Sequence, residues 1–130
     1  MESVTAKDAF ARYLGIEIEE IRPGYALAHM DIEDYHLNGV NVVNGGAIFT
    51  LADVAFAAAA NSHGVLALGV GAHISFVKPG RAGRLFAEAR ELSKGRKLAV
   101  YAVDVTNASG EIVAAFQGTV YRKDAPLQSA

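Results

Sequence analysis

Asp53 is the single ionisable side chain between His36 and His63, and it lies inside an otherwise apolar stretch. Its neighbours at helical spacing are Phe49, Phe56 and Ala57, so a helix would surround it with hydrocarbon. A carboxylate there is costly to bury without a partner; desolvation would raise its pKa, while a nearby donor or positive charge would lower it. The pattern alone leaves two readings open: a catalytic acid, or a side chain that reaches water at the helix edge. Eight residues upstream, Asn44-Gly45-Gly46 opens the same stretch. First-turn N–H groups of a helix have no partner inside it, and adjacent glycines let a ligand approach the backbone. With the positive end of the helix dipole, Gly45 and Gly46 can stabilise a carbonyl oxygen that gains negative charge. A plain N-terminal turn is the other reading of the same residues. Eight helical residues span about 12 Å, too far for one small carbonyl to touch both groups of one chain. If both act on one bond, the acid must come from a second copy, related by a two-fold axis.

These groups must be positioned by the elements around them. The segment Gly45 to Ser62 reads as a helix, with Ile48, Leu51, Ala52, Ala55, Phe56 and Ala59 forming one continuous face. Between Ala47 and Ala60 only Thr50 and Asp53 are not apolar, so most sides of the helix should be enclosed. Before it, residues 4–13 read as a short helix capped by Ser3 or Thr5 and broken at Gly15. Period-two alternation over 16–19 and 25–32, around Arg22-Pro23-Gly24, gives a hairpin. After the helix, strands are expected over 66–77, 85–93, 97–106 and 112–122, with a polar, frayed tail beyond Arg122. Leu98 to Val105 is apolar on both faces apart from Asp104 and should be a central strand, whereas Gly69-Val70-Gly71 suggests a bulge or a close backbone contact. The predicted architecture is α+β: an antiparallel sheet of five or six strands wrapped around one long helix.

The 130 residues are enough for one domain, with its core over about 12–123 and a tail over 124–130. No cysteine is present, which excludes disulfides, thiolate metal sites and cysteine nucleophiles, and fits a cytoplasmic protein. The four histidines have no i, i+4 partner, so no metal site is expected. His36 borders the candidate residues, although a surface role is the simpler reading. The start, MESVTAKDAF, lacks the pattern of a secretory signal, and the longest apolar run is the seven residues Val54 to Ala60. A net charge of −2 argues against general nucleic-acid binding, and no membrane span is expected. Charge is unevenly spread: residues 78–97 hold seven bases against two acids, either a solvated strand pair or a surface for an anion.

The order of motifs resembles the hotdog-fold acyl-CoA thioesterases of the phenylacetate-degradation (PaaI) type. The likeness runs through Asn38-Gly39, Asn44-Gly45-Gly46-Ala47-Ile48-Phe49-Thr50-Leu51-Ala52-Asp53 and Ala60-Asn61-Ser62. It continues through His73-Ile74-Ser75-Phe76-Val77-Lys78-Pro79-Gly80, Gly95-Arg96, and Gly110 to Gly118. The resemblance implies a homodimer with shared active sites, commonly assembled further into a homotetramer. It implies hydrolysis of an acyl-CoA thioester to acid and free CoA, with aryl-acetyl, short or medium acyl groups open and no separate cofactor. Asp53 matches the family's catalytic acid, Gly45 the amide that polarises the carbonyl, and Asn38 a polar residue near the reacting centre. Asn44 stands where relatives usually have histidine, so it can donate or cap but cannot titrate. Some relatives also place a serine or threonine where this chain has Leu68-Gly69-Val70-Gly71. For such a substrate, Lys78, Arg81 and Arg96 are expected to hold the CoA phosphates, Gly46 to meet the substrate at the helix start, and Phe49, Phe56 and the partner subunit to border the acyl channel. The alternatives are a non-catalytic acyl-CoA-binding protein and a hydroxyacyl-thioester dehydratase.

Overall fold

The computed structural model describes residues 7–126. Its elements are α1 (Ala9–Tyr13), β1 (Ile16–Arg22), β2 (Tyr25–Asp31), α2 (Gly45–Ala60), β3 (Val65–Phe76), β4 (Arg84–Lys94), β5 (Leu98–Thr106) and β6 (Ile112–Pro126). The six strands form one antiparallel sheet in the order β1-β2-β4-β5-β6-β3. It curls around α2, whose Leu51, Ala52, Ala55 and Ala59 are completely buried. The expected α+β architecture is therefore present, with six strands and β5 in the interior of the sheet.

The small residues of α2 are what allow a sheet to close on it. Ala26, Ala28, Ala87 and Ala89 on β2 and β4 are all fully buried, so sheet and helix approach closely along an alanine-lined face. Bulk returns at Phe56, whose ring lies 5.4 Å from Phe116 and 6.0 Å from Tyr101 by centroids. Two strand glycines make room for it. A Cβ on Gly118 would sit 2.7 Å from Phe56 Cζ, and one on Gly69 3.3 Å from Phe56 Cε2. The β3–β6 register shifts between Gly69 and Gly71, so this strand carries the expected bulge. Gly118→Ala should lower stability by about 1–3 kcal/mol, because a ring wedged between two others has nowhere to retreat. The matching fall in Tm is about 3–15 °C by calorimetry; an unchanged Tm would contradict the packing described.

The far end of α2 is pinned by side chains. Asn61 donates from Nδ2 to the carbonyls of Ala57 and Ala67 and accepts the Ala67 N–H, turning the chain into β3. His63 and the Tyr101 hydroxyl both bond Glu91 Oε1, at 2.7 and 2.8 Å. Gly64 follows at φ +81°, a left-handed stop that favours glycine.

Two expectations need correction. The first helix starts at Ala9, capped by Asp8, whose carboxylate accepts the Ala11 N–H at 3.0 Å. The Ser3 or Thr5 cap lies outside the described residues. The segment after Arg122 is not frayed: β6 continues to Pro126, which pairs with Val65, because β3 supplies a ladder that polar residues can join. Residues 127–130 of the expected tail lie outside the described ones. Among the described residues β3 is an edge strand with no neighbour on its outer side, and Leu68, Val70 and Phe76 are exposed along it.

Candidate active site

The site is built where α2 begins. Asn44 is the N-cap, with extended backbone angles (φ −59°, ψ 134°). Its Oδ1 accepts the Gly46 N–H at 2.7 Å, and its carbonyl accepts those of Ala47 and Ile48. Its own N–H donates to the His36 carbonyl at 2.7 Å, fixing the approach of the chain. The Gly45 N–H is left over: among the described residues no acceptor meets it. One donor thus stands free at the positive end of a 16-residue helix. Asn44 uses its side-chain oxygen for capping, which leaves only its Nδ2 for a ligand.

The free N–H lies between two depressions. On one side is a cleft of about 490 Å³, floored by Gly46, Ala47, Phe49 and Thr50 and walled by Phe10 and Tyr35. On the other is a groove of about 360 Å³ that contains Gly45 itself, Phe76 and Lys78. The Phe76 ring covers Gly45 closely, since a Cβ added there would be 3.1 Å from its Cζ. A third depression, of about 400 Å³, shares Lys78, Pro79 and Gly80 with the groove and adds Arg81. An apolar cleft, a lone donor and a path towards basic residues therefore follow one another along one face.

The loop before the helix is organised by Asn38. Its Oδ1 accepts the N–H groups of Val40 (3.0 Å) and Val42 (3.3 Å), and the loop closes through a Leu37–Val43 bridge. Asn41 takes φ +63°, a left-handed turn that asparagine tolerates. Val43 donates to the Gly80 carbonyl at 2.7 Å, tying this loop to the Lys78-Pro79-Gly80 turn. The carbonyl of Asn38 is thus committed to the loop, and its amide nitrogen is what it can offer a ligand.

Asp53 sits two turns into α2, one turn past Phe49 on the same face, and is exposed on the single chain. Protein crowding around it desolvates the carboxylate and, together with the negative charge of Asp8, raises its pKa above the ordinary carboxylate value. The sign sets an expectation for pH. If Asp53 acts as a base, activity is lost as pH falls through its pKa. Removing the Asp8 charge should lower that pKa and move the acid limb of kcat/KM to lower pH. Asp8→Asn is the suitable variant, because asparagine caps a helix as well as aspartate does. A pH–rate profile with an unmoved acid limb would show that Asp8 does not influence the base.

Not all expected residues converge. Phe56 is only 2% exposed and packs among Phe116, Tyr101 and Gly118, so it belongs to the core rather than an acyl channel; it faces the sheet instead of the cleft. Phe49 does line the cleft, with its ring 5.5 Å from Phe116. Lys78 pairs with Glu111 at 2.6 Å across the groove's rim, and Arg81 is exposed. Arg96 lies elsewhere. Arg81 precedes β4 and Arg96 follows it, so the 11-residue strand separates them by roughly 33 Å. They cannot grip one phosphate group within a chain. His36, expected at the surface, is 1% exposed. Its Nδ1 accepts the Glu33 N–H at 2.9 Å, so Nε2 carries the proton and donates to the Leu14 carbonyl at 2.8 Å. The walls formed by Phe10, Leu14 and Tyr35 were not foreseen. An exposed aromatic on a five-residue helix gives no periodic signal that would mark it.

This arrangement matches known proteins. The family model of the thioesterase superfamily matches residues 40–114, which include the helix start and Asp53. The acyl-coenzyme A thioesterase PaaI of Escherichia coli (strain K12) is 39% identical over 116 residues, covering 88% of this chain and 83% of that protein. A solved structure of the E. coli PaaI protein from the phenylacetic acid degradation operon superposes with a TM-score of 0.89 at 37% identity, covering 92% of this chain and 88% of that one. The structure of smu.793 from Streptococcus mutans UA159, bound to acetyl CoA, gives a TM-score of 0.80 at 28% identity, covering 83% and 88%. The chain belongs to the thioesterase superfamily, and its sheet wrapped on one helix is the hotdog fold. It is accordingly an enzyme of the thioester hydrolase class.

Proposed function

We propose that this chain hydrolyses acyl-CoA thioesters to a carboxylic acid and free CoA, using sites shared between two subunits. The observation that carries the proposal is the unpartnered Gly45 N–H, set between an apolar cleft and a groove leading to Lys78 and Arg81. The thioester carbonyl oxygen accepts the Gly45 N–H, and the helix dipole favours the negative charge that grows there as the carbon is attacked. A water molecule attacks that carbon while a carboxylate takes its proton. The C–S bond then breaks, and the thiolate leaves as CoA and regains a proton. Direct attack by the carboxylate, through a mixed anhydride that water then cleaves, is the other route open to the same group.

The carboxylate is the partner subunit's Asp53. Along one helix the amide and the acid are about 12 Å apart, beyond the reach of a single carbonyl. The exposed outer edge of β3, apolar at Leu68, Val70 and Phe76, supports pairing of two copies edge to edge. Lys78 and Arg81 are suited to the CoA phosphates at the end of the groove, while Arg96 can contribute only from another copy. The named thioesterase relative and the acetyl-CoA-bound neighbour support the choice of substrate.

Release of free thiol from a panel of acyl-CoAs, followed together with light-scattering mass, tests the proposal. Turnover by a dimer or larger assembly is expected. Saturable binding of acyl-CoA without thiol release would replace the enzyme by an acyl-CoA-binding protein, and full activity as a monomer would remove the shared site.

A further inference from the structure

We propose that α1 is the wall that selects the acyl group, with Phe10 and Leu14 closing the cleft beside the free Gly45 N–H and so limiting the acyl length accepted. This rests on the acyl-CoA reading above, since it names the occupant of the cleft as the acyl chain of the thioester.

Continuity comes first. The residues that floor the cleft, Gly46, Ala47 and Phe49, directly follow the glycine whose N–H stands free. A carbonyl bonded to that N–H therefore has the cleft on one side and the groove towards Lys78 on the other. A thioester has the same two arms. The arm ending in phosphates belongs with the basic residues, which leaves the acyl arm for the cleft. Its volume, about 490 Å³, falls in the range of small-molecule sites.

Exposure supports the same assignment. Phe10 is 60% exposed and Tyr35 63%, two aromatic side chains at the rim of an apolar cleft, both largely open to solvent. A bound hydrocarbon would cover surface that water now meets. The helix that carries Phe10 is also an adjustable wall. It has five residues and one buried side chain, Ala11, and a helix so short has no stability of its own. Two bonds hold it: the Asp8 cap at its start, and His36 Nε2–H to the Leu14 carbonyl at its end. His36 is itself fixed by the Glu33 N–H and lies 4.4 Å from the Tyr35 ring, so both walls of the cleft share one buried support. Phe10 and Leu14 lie four residues apart, on the same face of that helix.

The experiment uses the full chain and a ladder of straight-chain acyl-CoAs from acetyl to dodecanoyl, with Phe10→Trp to narrow the cleft and Leu14→Ala to deepen it. Hydrolysis is followed as kcat/KM, and binding is followed separately with non-hydrolysable thioether analogues of the same ladder. The expected result is a shortened ladder for Phe10→Trp: at least a tenfold loss on the longest substrate the parent accepts, with acetyl and butanoyl changed less than about threefold. Leu14→Ala should move the optimum to longer chains, by about fourfold in affinity for each methylene newly enclosed. A ladder of unchanged shape in both variants, with uniform or no loss, overturns the proposal. So does a change in oligomeric mass in place of a change in the ladder, because the cleft would then be a contact between copies. The two proposals fail separately. A parent that binds the analogues but releases no thiol removes the hydrolase, while a shortened binding ladder would still establish the wall. A parent that hydrolyses well with unchanged selectivity in both variants removes only the wall.

Discussion

Asp53→Asn is expected to reduce kcat for acyl-CoA hydrolysis by about 10²–10⁴-fold, the usual contribution of a positioned acid–base group. The change keeps the shape of the side chain and removes its charge, at a position exposed on the single chain. No buried contact is lost, so Tm should stay the same or rise slightly as a partly desolvated carboxylate disappears. The Kd for a non-hydrolysable acyl-CoA should remain within about threefold, because in the proposed site the bonds that hold the ground state come from the helix start and the basic groove. That combination distinguishes a chemical role from a structural one. A structural role would lower Tm and weaken binding along with turnover. A variant that hydrolyses at the parent rate would end the assignment of Asp53 as base or nucleophile. If the acid and the amide act from different copies, as proposed, a further result is expected. Mixing inactive Asp53→Asn chains with chains inactive at Gly45 should restore some activity on subunit exchange. One shared site of such a hybrid dimer pairs two intact groups.

Much of this arrangement was legible in the sequence, and for identifiable reasons. The α2 face of Ile48, Leu51, Ala52, Ala55, Phe56 and Ala59 is a helical period that only enclosure satisfies, and all six are buried. The central place of β5 followed from strand residues apolar on both faces, and the bulge near Gly69 from glycines inside a strand. These are local signals read over a few turns or pleats. The misreadings concern partners brought together from afar. His36 looked like a loop histidine because its two bonding partners are a backbone N–H three residues back and a carbonyl 22 residues away. Phe56 looked like a channel residue because nothing local announces that Gly118, on the last strand, leaves a hollow for its ring. The basic run over 78–97 left a solvated strand pair and a surface for an anion both open, with Arg81 and Arg96 expected to hold the same CoA phosphates. Yet an 11-residue strand carries Arg96 to the far end of the sheet from Arg81. Position along a strand is visible in a sequence, whereas the end of the sheet at which a residue emerges depends on the topology.

Gly45→Pro should remove the oxyanion donor while leaving the helix start intact, and it should cost about 10²–10³-fold in kcat. Proline is favoured at the first position of a helix, where its missing N–H would have no helical partner and its fixed φ suits the turn. The preceding residue must then be extended, and Asn44 already is, at ψ 134°. In most proteins proline at such a site is almost silent. Here the one group it deletes is the N–H that no other residue of the described chain uses. The necessary control is Gly45→Ala, because any side chain at this position meets Phe76, 3.1 Å from the added Cβ. Alanine brings that contact and keeps the N–H, so it should shift KM through the displaced Phe76 ring while retaining most of kcat. The ratio of the two variants isolates the hydrogen bond from the crowding. If proline and alanine lose the same amount, the loss is steric and the Gly45 amide has no part in stabilising the oxyanion. If proline loses at least tenfold more in kcat than alanine, with similar analogue binding and similar Tm, the difference belongs to the transition state. The Phe76 contact then accounts for why a glycine opens this helix, and the free N–H for what that opening does where the cleft meets the groove.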